Sequence, residues 1–198
     1  MEYIKKYFTE VTRIAELIKK DQIGKMISEL KKIRKNRGRL FFLGVGGGAA
    51  NASHAVNDFR KICGFEAYTP MDNISELSAR INDEGWESIF VHWLRGSRLC
   101  EKDGVFVFSV GGGNKEKNIS PNLVEALKYA KEAGAKIFGI VGRNGGHTAK
   151  VADACVIVPP INSETITPHT ESFQAVVWHL IISHPEMKVS EMKWESIK

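Results

Sequence analysis

Four apolar residues, Leu40–Leu43, run straight into Gly44-Val45-Gly46-Gly47-Gly48 and then into Ala49-Ala50-Asn51-Ala52-Ser53-His54-Ala55-Val56-Asn57-Asp58. A short apolar run stopped by glycines and followed by a polar-faced helical pattern predicts strand, tight turn and helix. Glycines accept positive φ and let a ligand approach bare backbone, while the first amides of the helix stay open to an anion. His54 and Asp58 stand four residues apart, so both project from one face of that helix. An anion seat and an acid, base or metal pair are therefore expected within a single site.

The same rhythm continues along the chain. Tyr3 to Lys19 and Ile23 to Lys35 carry amphipathic helical spacing, and Gly38 stops the second before the strand. After a helix from about Ala49 to Ile62 come a short strand at Phe65–Thr69 and a helix starting over Ser75–Ala79. Asn82-Asp83-Glu84-Gly85 is expected to break it, with a helical pattern resuming over Trp86–Leu94. Val105–Phe108 is a buried strand leading to Gly111-Gly112-Gly113-Asn114, and Ser120-Pro121 reads as N-cap and first residue of the next helix. Lys136–Val141 and Ala154–Val158 are strands flanking a short helix that starts at His147-Thr148-Ala149, and Thr170–Ser183 is a closing helix. Apolar strands alternating with helices imply an α/β fold with a parallel sheet covered on both faces and ligands at the carboxyl ends of strands.

The 198 residues, 43% hydrophobic, suit a single domain. We divide it into a helical arm (1–37), an α/β core (38–184) and a tail (185–198) that includes Trp194. A net charge of +5 raises the question of nucleic acid. The cations, however, sit in Lys5-Lys6, Lys19-Lys20 and Lys31-Lys32-Ile33-Arg34-Lys35-Asn36-Arg37, interleaved with apolar residues at helical spacing, so a solvated helix face is the expectation. Cys63, Cys100 and Cys155 are widely spaced and odd in number, which points to reduced thiols and a cytoplasmic protein. Neither a signal-type apolar core over Met1–Lys20 nor a run of membrane-spanning length is present in the sequence, so no membrane partner is expected.

The glycine cluster does not fit a dinucleotide loop, because Gly44-x-Gly46-Gly47-Gly48 lacks the third glycine at the required offset and no acidic residue ends a following strand. A Walker loop fails for want of Gly-Lys-Ser/Thr. A compact sugar phosphate suits the turn better.

Three separated segments resemble one family in order. Gly44 to His54 with Asp58 is similar to the glycine-turn and helix signature of phosphoheptose isomerases, a branch of the sugar isomerase (SIS) fold. Asn82-Asp83-Glu84-Gly85-Trp86 with Phe90 resembles that family's Asn-Asp-x-Gly segment. Thr167-Pro168-His169-Thr170-Glu171, followed by Gln174 and His179, resembles its closing helix. The resemblance implies a three-layer SIS sandwich and a homotetramer built on the amino-terminal helices, with His54, Asp58, Glu171 and His179 around the reacting carbons. Glu171 and His179, eight residues apart, share a helix face. Two imidazoles and two carboxylates suit zinc, which family members carry at the matching positions.

The resemblance further implies interconversion of sedoheptulose 7-phosphate and a glycero-manno-heptose 7-phosphate through an enediol, the step that supplies heptose to the bacterial surface. Asp58 is then the base, His179 the acid, and Glu171 a second candidate for the base. Substrate contacts are expected from Gly46, Gly47, Gly48, Asn51, Asp72, Ser109, Gly111, Gly112, Asn114 and Ser120, with Lys115 a further donor. The chain departs from the family pattern at four places: Asp58 replaces a glutamate, Glu171 a glutamine, Gly48 a serine, and glycines replace a serine-rich loop after Ser109. A non-catalytic SIS module binding a sugar phosphate or a protein, and an isomerase or epimerase for another phosphorylated sugar, are the alternatives.

Overall fold

The computed structural model describes residues 1–191. Two amphipathic helices of equal length, α1 (Glu2–Leu17) and α2 (Lys20–Lys35), precede β1 (Leu40–Gly44) and α3 (Gly47–Lys61). There follow β2 (Ala67–Tyr68), a 3₁₀ turn (Pro70–Asp72), α4 (Ile74–Glu84) and α5 (Ile89–Gly96). The second half runs β3 (Gly104–Ser109), α6 (Pro121–Glu132), β4 (Lys136–Val141), α7 (Gly146–Val151), β5 (Ala154–Ile157) and α8 (Ile166–Ser183).

The five strands form one sheet in the order β2-β1-β3-β4-β5, and every pairing is parallel. Alternation along the strands sends side chains to two cores. Leu40, Phe42, Phe106, Phe108 and Phe138 face the layer of α1, α2, α3 and α8, and Phe41, Leu43, Val105, Val107 and Ile137 face that of α5 and α6. Phe42 and Phe106 stack at 5.1 Å between centroids, so the middle of the sheet is locked by aromatic contacts between neighbouring strands. The chain leaves β1 towards β2 on one side and returns with β3 on the other. A crevice at the carboxyl ends of β1 and β3 follows from that reversal.

Several boundaries differ from expectation. Helix α8 starts at Ile166, four residues before Thr170, because Pro168 lies in the first turn, where its missing N–H removes no intrahelical bond. Helix α4 runs through Asn82-Asp83 to Glu84: Arg80 pairs with both Glu76 and Glu84 across its last turns, and Gly85 (φ 85°) ends it. The segment predicted as a strand over Phe65–Thr69 shrinks to Ala67–Tyr68. Ser120 precedes α6 as expected but its side chain makes no cap hydrogen bond; it sits at φ 49°, so Pro121 alone marks the start. Of the tail, Met187 is buried and Arg34 donates to the carbonyls of Glu186, Met187 and Cys63, while Trp194 lies outside the described residues.

Candidate functional site

The turn from β1 into α3 is made possible by two glycines with different reasons. Gly46 takes φ 59°, a conformation that L side chains rarely adopt. Gly48 has ordinary helical geometry, but a Cβ there would stand 2.4 Å from the Phe108 carbonyl oxygen, so only glycine lets α3 start hard against the end of β3. The turn is thus held beside the loop that leaves β3. There Gly112 N–H donates to Ser109 Oγ at 3.0 Å. The Gly112 carbonyl in turn accepts from the Thr148 amide and hydroxyl at 2.9 and 2.8 Å, which fastens the glycine loop to α7. Burial, with Lys128, Lys150 and Lys115 adding to it, holds the His147 imidazole beside this loop below its ordinary pKa.

Helices α3 and α8 lie side by side and parallel, since their contacts rise together along both. Gly47 meets the Glu171 carboxylate, Asn51 meets Gln174, His54 meets Trp178, and Cys63 meets Ile182. The pairing brings His54, Asp58 and His179 together, with one ligand atom of each within 4.8 Å of the others. Asp58 is buried. Its Oδ2 lies 3.4 Å from Nε2 of both His54 and His179 and accepts from the Trp178 indole N–H at 3.3 Å, while Oδ1 accepts from Asn57 Nδ2 at 3.0 Å. The imidazoles are more open, with side-chain exposures of 54% for His54 and 38% for His179, so the cluster is dry behind the carboxylate and reachable from the other side.

His179 Nδ1 is 2.8 Å from the Ala175 carbonyl, which can only accept. The proton of a neutral ring is therefore on Nδ1, and Nε2 turns its lone pair towards Asp58. A nitrogen lone pair and a carboxylate oxygen at 3.4 Å repel unless a proton or a cation lies between them. A backbone carbonyl behind a histidine is also the usual support of a metal ligand. Two imidazole nitrogens and a carboxylate oxygen thus fit a divalent cation such as zinc, with further positions left for substrate or solvent.

Glu171 is not part of this cluster. Its carboxylate carbon and both oxygens crowd Gly47, within 2.4 to 2.5 Å of where a Cβ would stand, at the glycine turn. Eight residues of helix, about 12 Å of rise, separate it from His179. The four-ligand grouping expected from the sequence is therefore split into a three-residue cluster and a carboxylate at the turn.

The expected substrate residues also divide. Gly46, Gly47 and Gly48 line the turn, and Ser109, Gly111 and Gly112 form the neighbouring loop. Asn51 Nδ2 is engaged by the Glu171 carbonyl at 3.0 Å and Gln174 Oε1 at 2.7 Å, and Gln174 continues to the Ile140 carbonyl, so this amide pair ties α3 to α8 and β4. Asn114 pairs with Ile119 in a small hairpin that ends at Ser120, with its side chain accepting from the Lys117 amide; both residues serve the loop's own shape. Asp72 accepts from the Ser53 hydroxyl at 3.1 Å, on the same helix as His54. Trp178 was missed by sequence reading: nothing in its spacing distinguishes it from a core residue of α8, and only the packing aims its N–H at Asp58.

No protein-family profile matches the chain. It is 31% identical to a phosphoheptose isomerase of Rhodospirillum rubrum over 149 residues, 73% of each chain. It is 26% identical to one of Aneurinibacillus thermoaerophilus over 207 aligned positions, covering 100% of this chain and 99% of that one. Among solved structures, the phosphoheptose isomerase GmhA of Neisseria gonorrhoeae superposes with a TM-score of 0.79 at 23% identity, over 91% of this chain and 96% of that one, a likeness of fold.

Proposed function

The chain belongs to the phosphoheptose isomerase family, and from that premise we propose that it interconverts sedoheptulose 7-phosphate and a glycero-manno-heptose 7-phosphate. The observation that carries the reading is the cluster of His54, Asp58 and His179 on two parallel helices that begin beside the glycine turn. Isomerisation requires one proton to move between C1 and C2 and another between the two oxygens, through an enediol. Asp58, buried and held by the Trp178 and Asn57 donors, is the group we assign to the carbon proton. His179, with Nδ1 held by the Ala175 carbonyl and Nε2 directed into the site, takes the oxygen proton. A zinc ion held by His54, Asp58 and His179 would take the place of the Nε2 proton and supply Lewis acidity towards the sugar carbonyl instead.

The glycine turn and the Ser109–Gly112 loop are our choice for the phosphate end, with the Ser109 hydroxyl, whose oxygen accepts from the Gly112 amide, and the amides not used within the turns in place of the family's serine-rich loop. We assign Glu171 to that end as well, facing sugar hydroxyls rather than the cation. A homotetramer is part of the same reading: Tyr3, Ile4 and Phe8 of α1 and Val176 and Leu180 of α8 are exposed apolar residues in search of cover. None of the described helices is long and apolar enough to cross a membrane, and we take the enzyme to work in the cytoplasm.

Purified protein incubated with sedoheptulose 7-phosphate, with and without zinc, tests the proposal by proton NMR of the product. Formation of the aldose phosphate is the expected result. Absence of turnover in both conditions refutes it, and a substrate-dependent rise in melting temperature without turnover then favours a binding module.

A further inference from the structure

Helix α1 buries Glu10, 5% exposed, on the face it turns to the core, one turn from the fully buried Ile14. An apolar residue would dock the helix at least as well, because a buried carboxylate loses its hydration and must recover it from fixed partners. Glu10 has a full set. Asn162 Nδ2 donates to Oε1 at 2.7 Å, and Thr165 Oγ1 and His169 Nε2 donate to Oε2 at 2.7 and 2.9 Å. Tyr7, one turn earlier on α1, lays its ring on that of His169 with centroids 4.3 Å apart.

All three donors lie between residues 162 and 169, the stretch that leads into α8 and forms its first turn. The next two residues reach the glycine crevice. Thr170 presses on Gly142, its Oγ1 2.2 Å from where a Cβ would stand, and Glu171 puts its carboxylate against Gly47. Each residue of a helix turns it by about 100°, so fixing the azimuth of His169 fixes where Glu171 points. Between that first turn and the cluster of His54, Asp58 and His179, α8 is held a second time, by Asn51 and the Ile140 carbonyl on Gln174 and by Phe108 against Trp178.

Building on the phosphosugar reading above, we infer that Glu10 is a positioning residue: through His169, Thr165 and Asn162 the amino-terminal arm sets the phosphate end of the site and leaves the cation end alone. A salt-free docking contact predicts uniform loss of function when weakened, whereas a latch at residues 162–169 predicts a selective one.

Glu10→Ala and the isosteric Glu10→Gln are compared with Ile14→Val, which loosens α1 without touching the latch. For Glu10→Ala the expected result is a rise in KM for sedoheptulose 7-phosphate of about tenfold, from misplacement of one end of the site. The change in kcat is expected to stay below about twofold, and zinc affinity by chelator competition to be unchanged. Glu10→Gln, which turns an amide N–H towards donors, falls between. Ile14→Val lowers the melting temperature but leaves KM at the wild-type value. An unchanged KM in Glu10→Ala, or an equal rise in Ile14→Val, overturns the inference. If wild-type protein does not turn over the sugar at all, the functional reading fails by itself. The latch is then judged by hydrogen exchange at the amides of residues 166–172, which Glu10→Ala must accelerate and Ile14→Val must not.

Discussion

Putting back the serine that the family resemblance implies at position 48 should damage this chain, and the damage can be sized. The Cβ of Gly48→Ser would lie 2.4 Å from the Phe108 carbonyl oxygen and 3.2 Å from its carbon. Ordinary carbon–oxygen contacts lie near 3.3 Å, so the overlap is about 0.9 Å. Neither party yields easily, since one is the first turn of α3 and the other is backbone in the middle strand of the sheet, paired on both sides. Overpacking of this kind costs about 1–3 kcal/mol, and rigid partners on both sides put the cost near the upper end. At roughly 2–4 °C per kcal/mol for a chain of this length, the melting temperature should fall by about 6–12 °C. Gly111→Ser, in the loop where the family carries hydroxyls, meets nothing within 4 Å. It should shift stability by less than about 0.5 kcal/mol. One added hydroxyl donor, worth about 1 kcal/mol, should lower KM for the sugar phosphate about fivefold. Calorimetric melting and initial-rate kinetics on the two variants decide the matter. Wild-type stability in Gly48→Ser would refute the close approach of α3 to β3, and an unchanged or higher KM in Gly111→Ser would refute the loop as the phosphate seat.

Asp58→Asn keeps the volume and the Trp178 donor but removes the charge between two imidazoles; zinc binding by competition should weaken and kcat fall by about 10²–10⁴, the usual worth of a positioned base. Thiol chemistry offers an independent check of the packing, because burial pushes the fully buried Cys63 and the half-buried Cys155 up to about 12. At pH 8 iodoacetamide should leave both unmodified in the folded protein and label them after unfolding, as read by mass spectrometry. Hydrogen bonds from Thr165, His169 and Asn162 hold Glu10 at about 2 rather than 4.5. Because the folded value is the lower one, its stabilisation is complete above about pH 4.5 and is lost as the pH falls towards 2. Acid unfolding followed by circular dichroism should therefore be steeper between those limits in wild-type protein than in Glu10→Gln.

The alternation of short apolar runs with helical periodicity was enough to foresee a parallel three-layer sheet, because strand burial on both faces and helix amphipathicity are local patterns. Likewise the four-residue interval between His54 and Asp58 required them to share a face. Family resemblance added His179 from a segment more than a hundred residues away. The remainder was decided in three dimensions. Strand order and the aromatic core set α3 and α8 parallel at contact distance, which turned two helix faces into one cluster and aimed the Trp178 N–H at a carboxylate. The same packing sent Glu171 to Gly47 instead of to the histidines and joined Glu10 to His169 across the fold. Periodicity states which residues face inward; what they meet there depends on how far apart and at what angle whole elements come to rest, and that is settled only when both cores fill.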